Sequence, residues 1–188
     1  QARAILVPAR TGDDAVEVFL VEPGAAGVAL ERQTGPIREP LDQLTLSGAR
    51  VGAEARLDGS AGSGGLDGRG IVNWIHERAL LGLAATQVGV AESAMRKTAE
   101  YVNQRKQFNR PIGSFQSAQH RLADAYVDVE CMRSVVIEAA WRLSAGLPAA
   151  FHVRGAKWWA GVAGVRVAHS AQDLHGGTGA GLGYPVPR

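Results

Sequence analysis

The sequence predicts an α+β fold: a partial β-barrel or sheet domain followed by an antiparallel α-helical bundle. Three observations carry this. Short β-rich runs punctuated by glycine and proline fill the first 57 residues. A glycine-rich stretch, Asp58 to Gly70, separates them from the rest. From Ile71 onward the apolar residues recur at helical spacing in three long segments. The organisation therefore reads as 1–57 for the partial β domain, 58–70 for a linker and 71–188 for the bundle.

The elements follow in order. Ala4 to Val7 is apolar and stops at Pro8. Ala15 to Val21 alternates in part, and Thr11-Gly12-Asp13-Asp14 before it is turn chemistry, so the two runs predict a hairpin. Gly27 to Leu30 and Leu44 to Val51 read as third and fourth strands. Such a piece leaves open edges, so covering or partner strands are expected beside it. In the first helical segment Leu81, Ala84, Val88, Ala91, Met95, Ala99 and Val102 form one stripe. The second segment is more regular. Ala118, Leu122, Ala125, Val129, Met132, Val136, Ala139 and Leu143 step by four and three throughout, a heptad-like seam. Gly146 reads as its stop. The third runs through Ala156, Ala160, Ala163, Val167 and Leu174 to Gly176 and Gly177, with Gly161 and Gly164 marking close helix approach. Three such helices leave faces for a fourth helix or another subunit.

Composition excludes several function classes. The chain has 188 residues, 46% apolar and 20% charged, enough for one substantial core. A net charge of +2 without a lysine-rich block argues against nucleic-acid binding. Cys131 is the only cysteine, so an internal disulfide and a cysteine-based zinc site are excluded. It lies one position before a seam residue and reads as an inert thiol. No apolar run approaches the roughly 18 residues of a membrane span, so membrane insertion is not expected. No signal peptide is legible, and a cytoplasmic location is the expectation. The glycine-rich stretch lacks the phosphate-loop and dinucleotide glycine patterns. His76, His120, His152, His169 and His175 have no metal-ligand spacing and read as structural or surface residues. Trp158 and Trp159 read as packing residues. No G-x-S-x-G elbow occurs.

Two places carry candidate chemistry. Between the first two helices, Gln104 to Gln116 reads QRKQFNRPIGSFQ, the first helix ending at Tyr101 and Val102 and the second beginning near Ser114. Pro111 biases Arg110 away from the helical region, which breaks the helix there. Arg105, Lys106 and Arg110 surround Phe108, a set suited to a planar ligand bearing phosphate. On charge alone a solvated basic corner is the favoured reading, because surface lysine and arginine are common. The second place is Glu77, four, seven and eleven residues before Leu81, Ala84 and Val88, at the head of the stripe. Desolvation there favours a general base, whereas a half-exposed helix-start glutamate fits the same pattern.

Arg105, Phe108, Pro111–Ile112, Phe115–Gln116, Gln119–His120 and Leu122–Ala123–Asp124 together resemble the carboxy-terminal helical domain of the acyl-CoA dehydrogenases. That family carries an R-x-x-F corner, a following F-Q and a later H-G-G-x-G, here His175-Gly176-Gly177-Thr178-Gly179. The resemblance covers most of the chain and is strongest from Val72 to Arg188. It implies that the β part is a portion of the family's middle domain. It also implies FAD as cofactor, an acyl-CoA substrate and an electron-transfer flavoprotein-like acceptor. Assembly as a homo- or hetero-oligomer, a dimer of dimers, follows, as does a place in fatty acid β-oxidation or steroid degradation. Arg105, Phe108 and Gln116 match positions that touch the FAD of a neighbouring subunit, and Gly176 and Gly177 would let backbone approach that cofactor. Asp173 falls where many members carry glutamine, and a carboxylate near a pyrophosphate is repulsive unless paired. His76-Glu77-Arg78-Ala79-Leu80 looks like the segment where isovaleryl-type and long-chain-type members place their catalytic glutamate, with Arg78 matching an arginine close to the substrate. Two alternatives go with this reading: a non-catalytic, FAD-supporting subunit of a heteromeric dehydrogenase, and a helical oligomerisation module without cofactor.

Overall fold

A computed structural model describes residues 3–12, 15–35, 40–57 and 65–180. Much of the glycine-rich stretch, 58–64, lies outside the described residues, as do Asp13 and Asp14 of the first turn. The chain divides into two units, Gln1–His76 and Glu77–Arg188.

In the first unit, β1 (Ile5–Arg10) and β2 (Val16–Val21) pair antiparallel, Ile5 opposite Val21 and Arg10 opposite Val16. β1 continues through Pro8, where the sequence reading stopped it. It pairs with β2 alone, and an edge strand tolerates a residue without an N–H. The buried apolar residues described in this unit are Val18 and Val21 on β2 and Ile71, farther along the chain. β3 (Val28–Thr34) and β4 (Pro40–Leu46) make a second, separate hairpin. β5 (Arg56–Leu57) pairs with the free side of β2. The strands thus form two small sheets, and no barrel closes among the described residues.

α1 (Gly68–Gln104) begins three residues earlier than the apolar period indicates. Asp67 is the reason. Its carboxylate accepts the Gly70 N–H at 2.7 Å and its carbonyl accepts the Ile71 N–H at 2.9 Å, capping the helix inside the glycine-rich stretch. Gly68 is required there, because a Cβ would collide with the Val16 carbonyl of β2.

The second unit is an antiparallel three-helix arrangement. α1 is followed by a short hairpin, β6 (Lys106–Gln107) and β7 (Arg110–Pro111), then α2 (Gln116–Ser144) and α3 (Ala150–His175). The α2 seam is buried at Ala118, Ala125, Val129, Met132, Val136 and Ala139. It packs with Ala84, Val88 and Ala91 of α1 and Val153, Ala156, Ala160, Ala163 and Val167 of α3. α2 stops in a Schellman turn: Gly146 has φ 66° and the Leu147 N–H reaches the Arg142 carbonyl at 2.9 Å. One buried polar residue, Thr98, is satisfied by the Ala94 carbonyl at 2.7 Å. Ion pairs stitch the helices: Glu92 to Arg133 at 2.9 Å, and Asp128 to Arg166 through two hydrogen bonds of 2.5 and 2.8 Å.

The two helical glycines differ. A Cβ on Gly164 would strike the Gln87 side chain of α1, so close approach holds there. Gly161 faces open space, and close approach does not account for it. Cys131 is exposed on α2. Trp158 is also exposed rather than packed: with Leu80, Val162, Val165, Arg154 and Lys157 it lines a groove of about 820 Å³.

Candidate functional site

In an antiparallel arrangement the end of α1, the start of α2 and the end of α3 lie together. Most of the sequence-predicted site residues are at this end. The corner is ordered by backbone. The Arg105 N–H donates to the Tyr101 carbonyl at 2.8 Å, and the Arg105 carbonyl accepts from Ile112 at 2.9 Å. Between them Lys106 pairs with Pro111 and Gln107 with Arg110. This two-residue hairpin turns on Phe108 and Asn109, with φ of 53° and 64°. Positive φ at both positions is the I′-type turn that suits the twist of short hairpins. Asparagine accepts that geometry; phenylalanine does so only at a cost.

Phe108 nevertheless stands 86% exposed at the tip. Its only described ring partner is Phe115, edge-on at 6.1 Å, and Phe115 in turn carries the Arg110 guanidinium 4.0 Å above it. At this exposed tip the edge contact with Phe115 is the one described return within the chain for that strain. Phe108→Gly is therefore expected to stabilise the protein by about 1 kcal/mol, read as a raised denaturant midpoint.

Arg105 and Lys106 are exposed and enter no ion pair among the described residues. α2 then starts at Gln116, exposed, with Phe115 as an N-cap that supplies no side-chain hydrogen bond and no acid in the first turn. The backbone donors of that turn and the positive end of the helix are thus left without an anionic side chain of this first turn.

α3 closes the same end. His175 is buried, its Nδ1 lies 2.8 Å from the Ala171 carbonyl, and its ring stacks on Tyr101 at 4.4 Å. This pair locks the last turn of α3 on the last turn of α1. Gly176 follows at φ 57°, its N–H donating to the Gln172 and Asp173 carbonyls. Gly177 faces open space. Asp173 is paired with Arg121 of α2. Sequence alone does not pick out Arg121 and gives Tyr101 only as a helix end; the order and direction of the helices reveals what each meets.

Glu77 and Arg78 are not part of this end. Both are half-buried in the first third of α1. The 24 residues from Glu77 to Tyr101 correspond to about 36 Å along the helix axis. Glu77 precedes Leu80 by three residues, so it lies on the α1 face that borders the groove beside Trp158. Among the described residues no cluster of metal-ligating side chains occurs, and no helix is long and apolar enough to cross a membrane.

A family profile described as "Acyl-CoA dehydrogenase, C-terminal domain" matches residues 68–188. Acyl-CoA dehydrogenase FadE27 of Mycobacterium tuberculosis is 40% identical over 195 residues, covering 100% of this chain and 50% of its own length. Among solved structures, the ChsE4–ChsE5 complex from Mycobacterium tuberculosis superposes with a TM-score of 0.88 at 41% identity, covering 98% of this chain and 48% of that one. A Tcur3481–Tcur3483 steroid ACAD superposes at 0.82 with 37% identity, covering 98% and 47%. The chain spans about half the length of the relatives it matches.

Proposed function

Because the chain belongs to the acyl-CoA dehydrogenase family, we propose that it serves the flavin-dependent α,β-dehydrogenation of an acyl-CoA thioester. The observation that carries this is the composition of one bundle end. Arg105 and Lys106 stand without ion-pair partners among the described residues, Phe108 is held out in a costly conformation, and the Gly176–Gly177 backbone is open. Those groups fit FAD. Arg105 would hold the pyrophosphate by charge-assisted hydrogen bonds, Phe108 would pack near the adenine-ribose end, and Gln116 and the glycine pair would add polar contacts. The pairing of Asp173 with Arg121 removes the repulsion that its carboxylate would otherwise impose.

FAD, when bound, supplies the hydride acceptor for the β hydrogen. Glu77 takes the α proton of the thioester, and Arg78 beside it adjusts the local field. Glu77 lies about 40 Å along α1 from the corner, so the corner serves the FAD of a neighbouring subunit and the working unit is an oligomer. The steroid ACAD among the similar structures supports a steroid-type acyl-CoA as the substrate, and the resemblance to the family implies an electron-transfer flavoprotein-like acceptor.

The test is spectroscopic. The purified protein, in the assembly in which it is isolated, is expected to be yellow and to bleach on adding an acyl-CoA, and Arg105→Ala is expected to release the flavin. Flavin retained unchanged by Arg105→Ala would reject the corner as its site. A second reading has its own support: ChsE4–ChsE5 and Tcur3481–Tcur3483 are each named as two components. In that reading this chain supports the FAD of a different chain, and colour develops only on co-expression.

A further inference from the structure

We propose that Arg121 is a positioning residue for the dinucleotide corner: its pairing with Asp173 neutralises a carboxylate of the helical turn that leads into Gly176–Gly177 and ties that turn to the start of α2. This rests on the flavin-binding reading above.

Four observations converge. Asp173 is joined to the turn directly, since its carbonyl accepts the Gly176 N–H. Its carboxylate belongs to the same last turn of α3, three residues before the glycine pair that would meet an anion. Helix electrostatics do not explain an aspartate there, because the last turn of a helix disfavours negative charge. Stability does not explain the pair either. Arg121 and Asp173 are 51% and 55% exposed, and exposed pairs contribute little to folding. The remaining charges of the corner complete the argument. Arg110 is engaged over Phe115, while Arg105 and Lys106 are unpaired among the described residues, so an unneutralised Asp173 would compete with a phosphate for those two cations. Arg121 removes that competitor from the opposite helix. His175 on Tyr101 fixes α3 to α1 at the same level, and Arg121–Asp173 fixes α3 to α2, so the turn is held from both sides.

The experiment is a charge cycle on the flavin-stripped protein in the assembly in which it is isolated, titrated with FAD and followed by flavin fluorescence. Arg121→Gln is expected to weaken FAD binding about tenfold, the effect of one unneutralised charge near a partly solvated site. Asp173→Asn alone is expected to change binding less than about twofold, and the double variant to return within about twofold of the parent, because no carboxylate then remains to neutralise. The melting temperature of the flavin-free protein is expected to shift by no more than about 2 °C in all three. Parental FAD affinity in Arg121→Gln would overturn the proposal. So would a loss that the second substitution fails to rescue and that follows the melting temperature, which marks a merely structural pair. A parent that takes up no FAD would reject the flavin reading itself, and this proposal with it.

Discussion

Glu77→Gln is expected to leave the flavin in place and to slow its bleaching by an acyl-CoA about 10²- to 10⁴-fold, the usual contribution of a positioned general base. The amide keeps the size of the side chain and removes only its basicity. Glu77 is half-buried on a 37-residue helix whose members of the three-helix core lie farther along, from Leu80 onward, so the substitution leaves the bundle intact. Bleaching at the parental rate would show that the α proton leaves to another group. The separation of Glu77 from the corner gives a sharper form of the test. Twenty-eight residues divide Glu77 from Arg105, and one straight helix cannot bring them together. Chains carrying Glu77→Gln alone and Arg105→Ala alone should each be inactive. Co-assembled at random in a two-fold pair that shares its sites, they should recover about a quarter of the parental rate, from the one intact site in each mixed pair. Absence of recovery would mean that the corner's neighbour is a different chain.

The α2 seam was legible because burial on one face of a helix needs only a local period. All of its interior members from Ala125 to Ala139 are buried. The corner was legible for a different reason: Pro111 breaks the helix by covalent geometry, and the cations around Phe108 are adjacent in sequence. Non-local features were not. That β5, rather than β3 or β4, takes the free side of β2 depends on strand partners far apart in the chain. β4 begins at Pro40, ahead of the predicted Leu44, because Asp42 and Gln43 hide its alternation. The left-handed turn at Phe108 is masked by a residue type that seldom adopts it. Asp173 looked like an obstacle to an anion until α2 placed Arg121 against it. Gly161 and Gly164 look alike in sequence, and only the position of Gln87 separates them.

Met132→Ala is expected to cost about 2–5 kcal/mol of stability, and toward the upper part of that range. Met132 is the largest of the fully buried side chains and lies midway along α2. The cluster around it is built largely of alanine: Ala84 and Ala91 from α1, Ala125 and Ala139 from its own helix, Ala156, Ala160 and Ala163 from α3. Alanine has no rotamers with which to fill a hole, and helices packed through alanine cannot draw closer without moving whole backbones. The cavity therefore persists, and its cost adds to the lost burial. Met132→Leu keeps the volume and is expected to cost less than about 1.5 kcal/mol. Ile137→Ala, one and a half turns on but 61% exposed, is expected to change stability by no more than about 0.5 kcal/mol. Urea midpoints of the three variants check the order. Equal losses at Met132 and Ile137 would mean that the exposed face of α2 is as buried in the working assembly as the seam, and that the three-helix core accounts for only part of the interior.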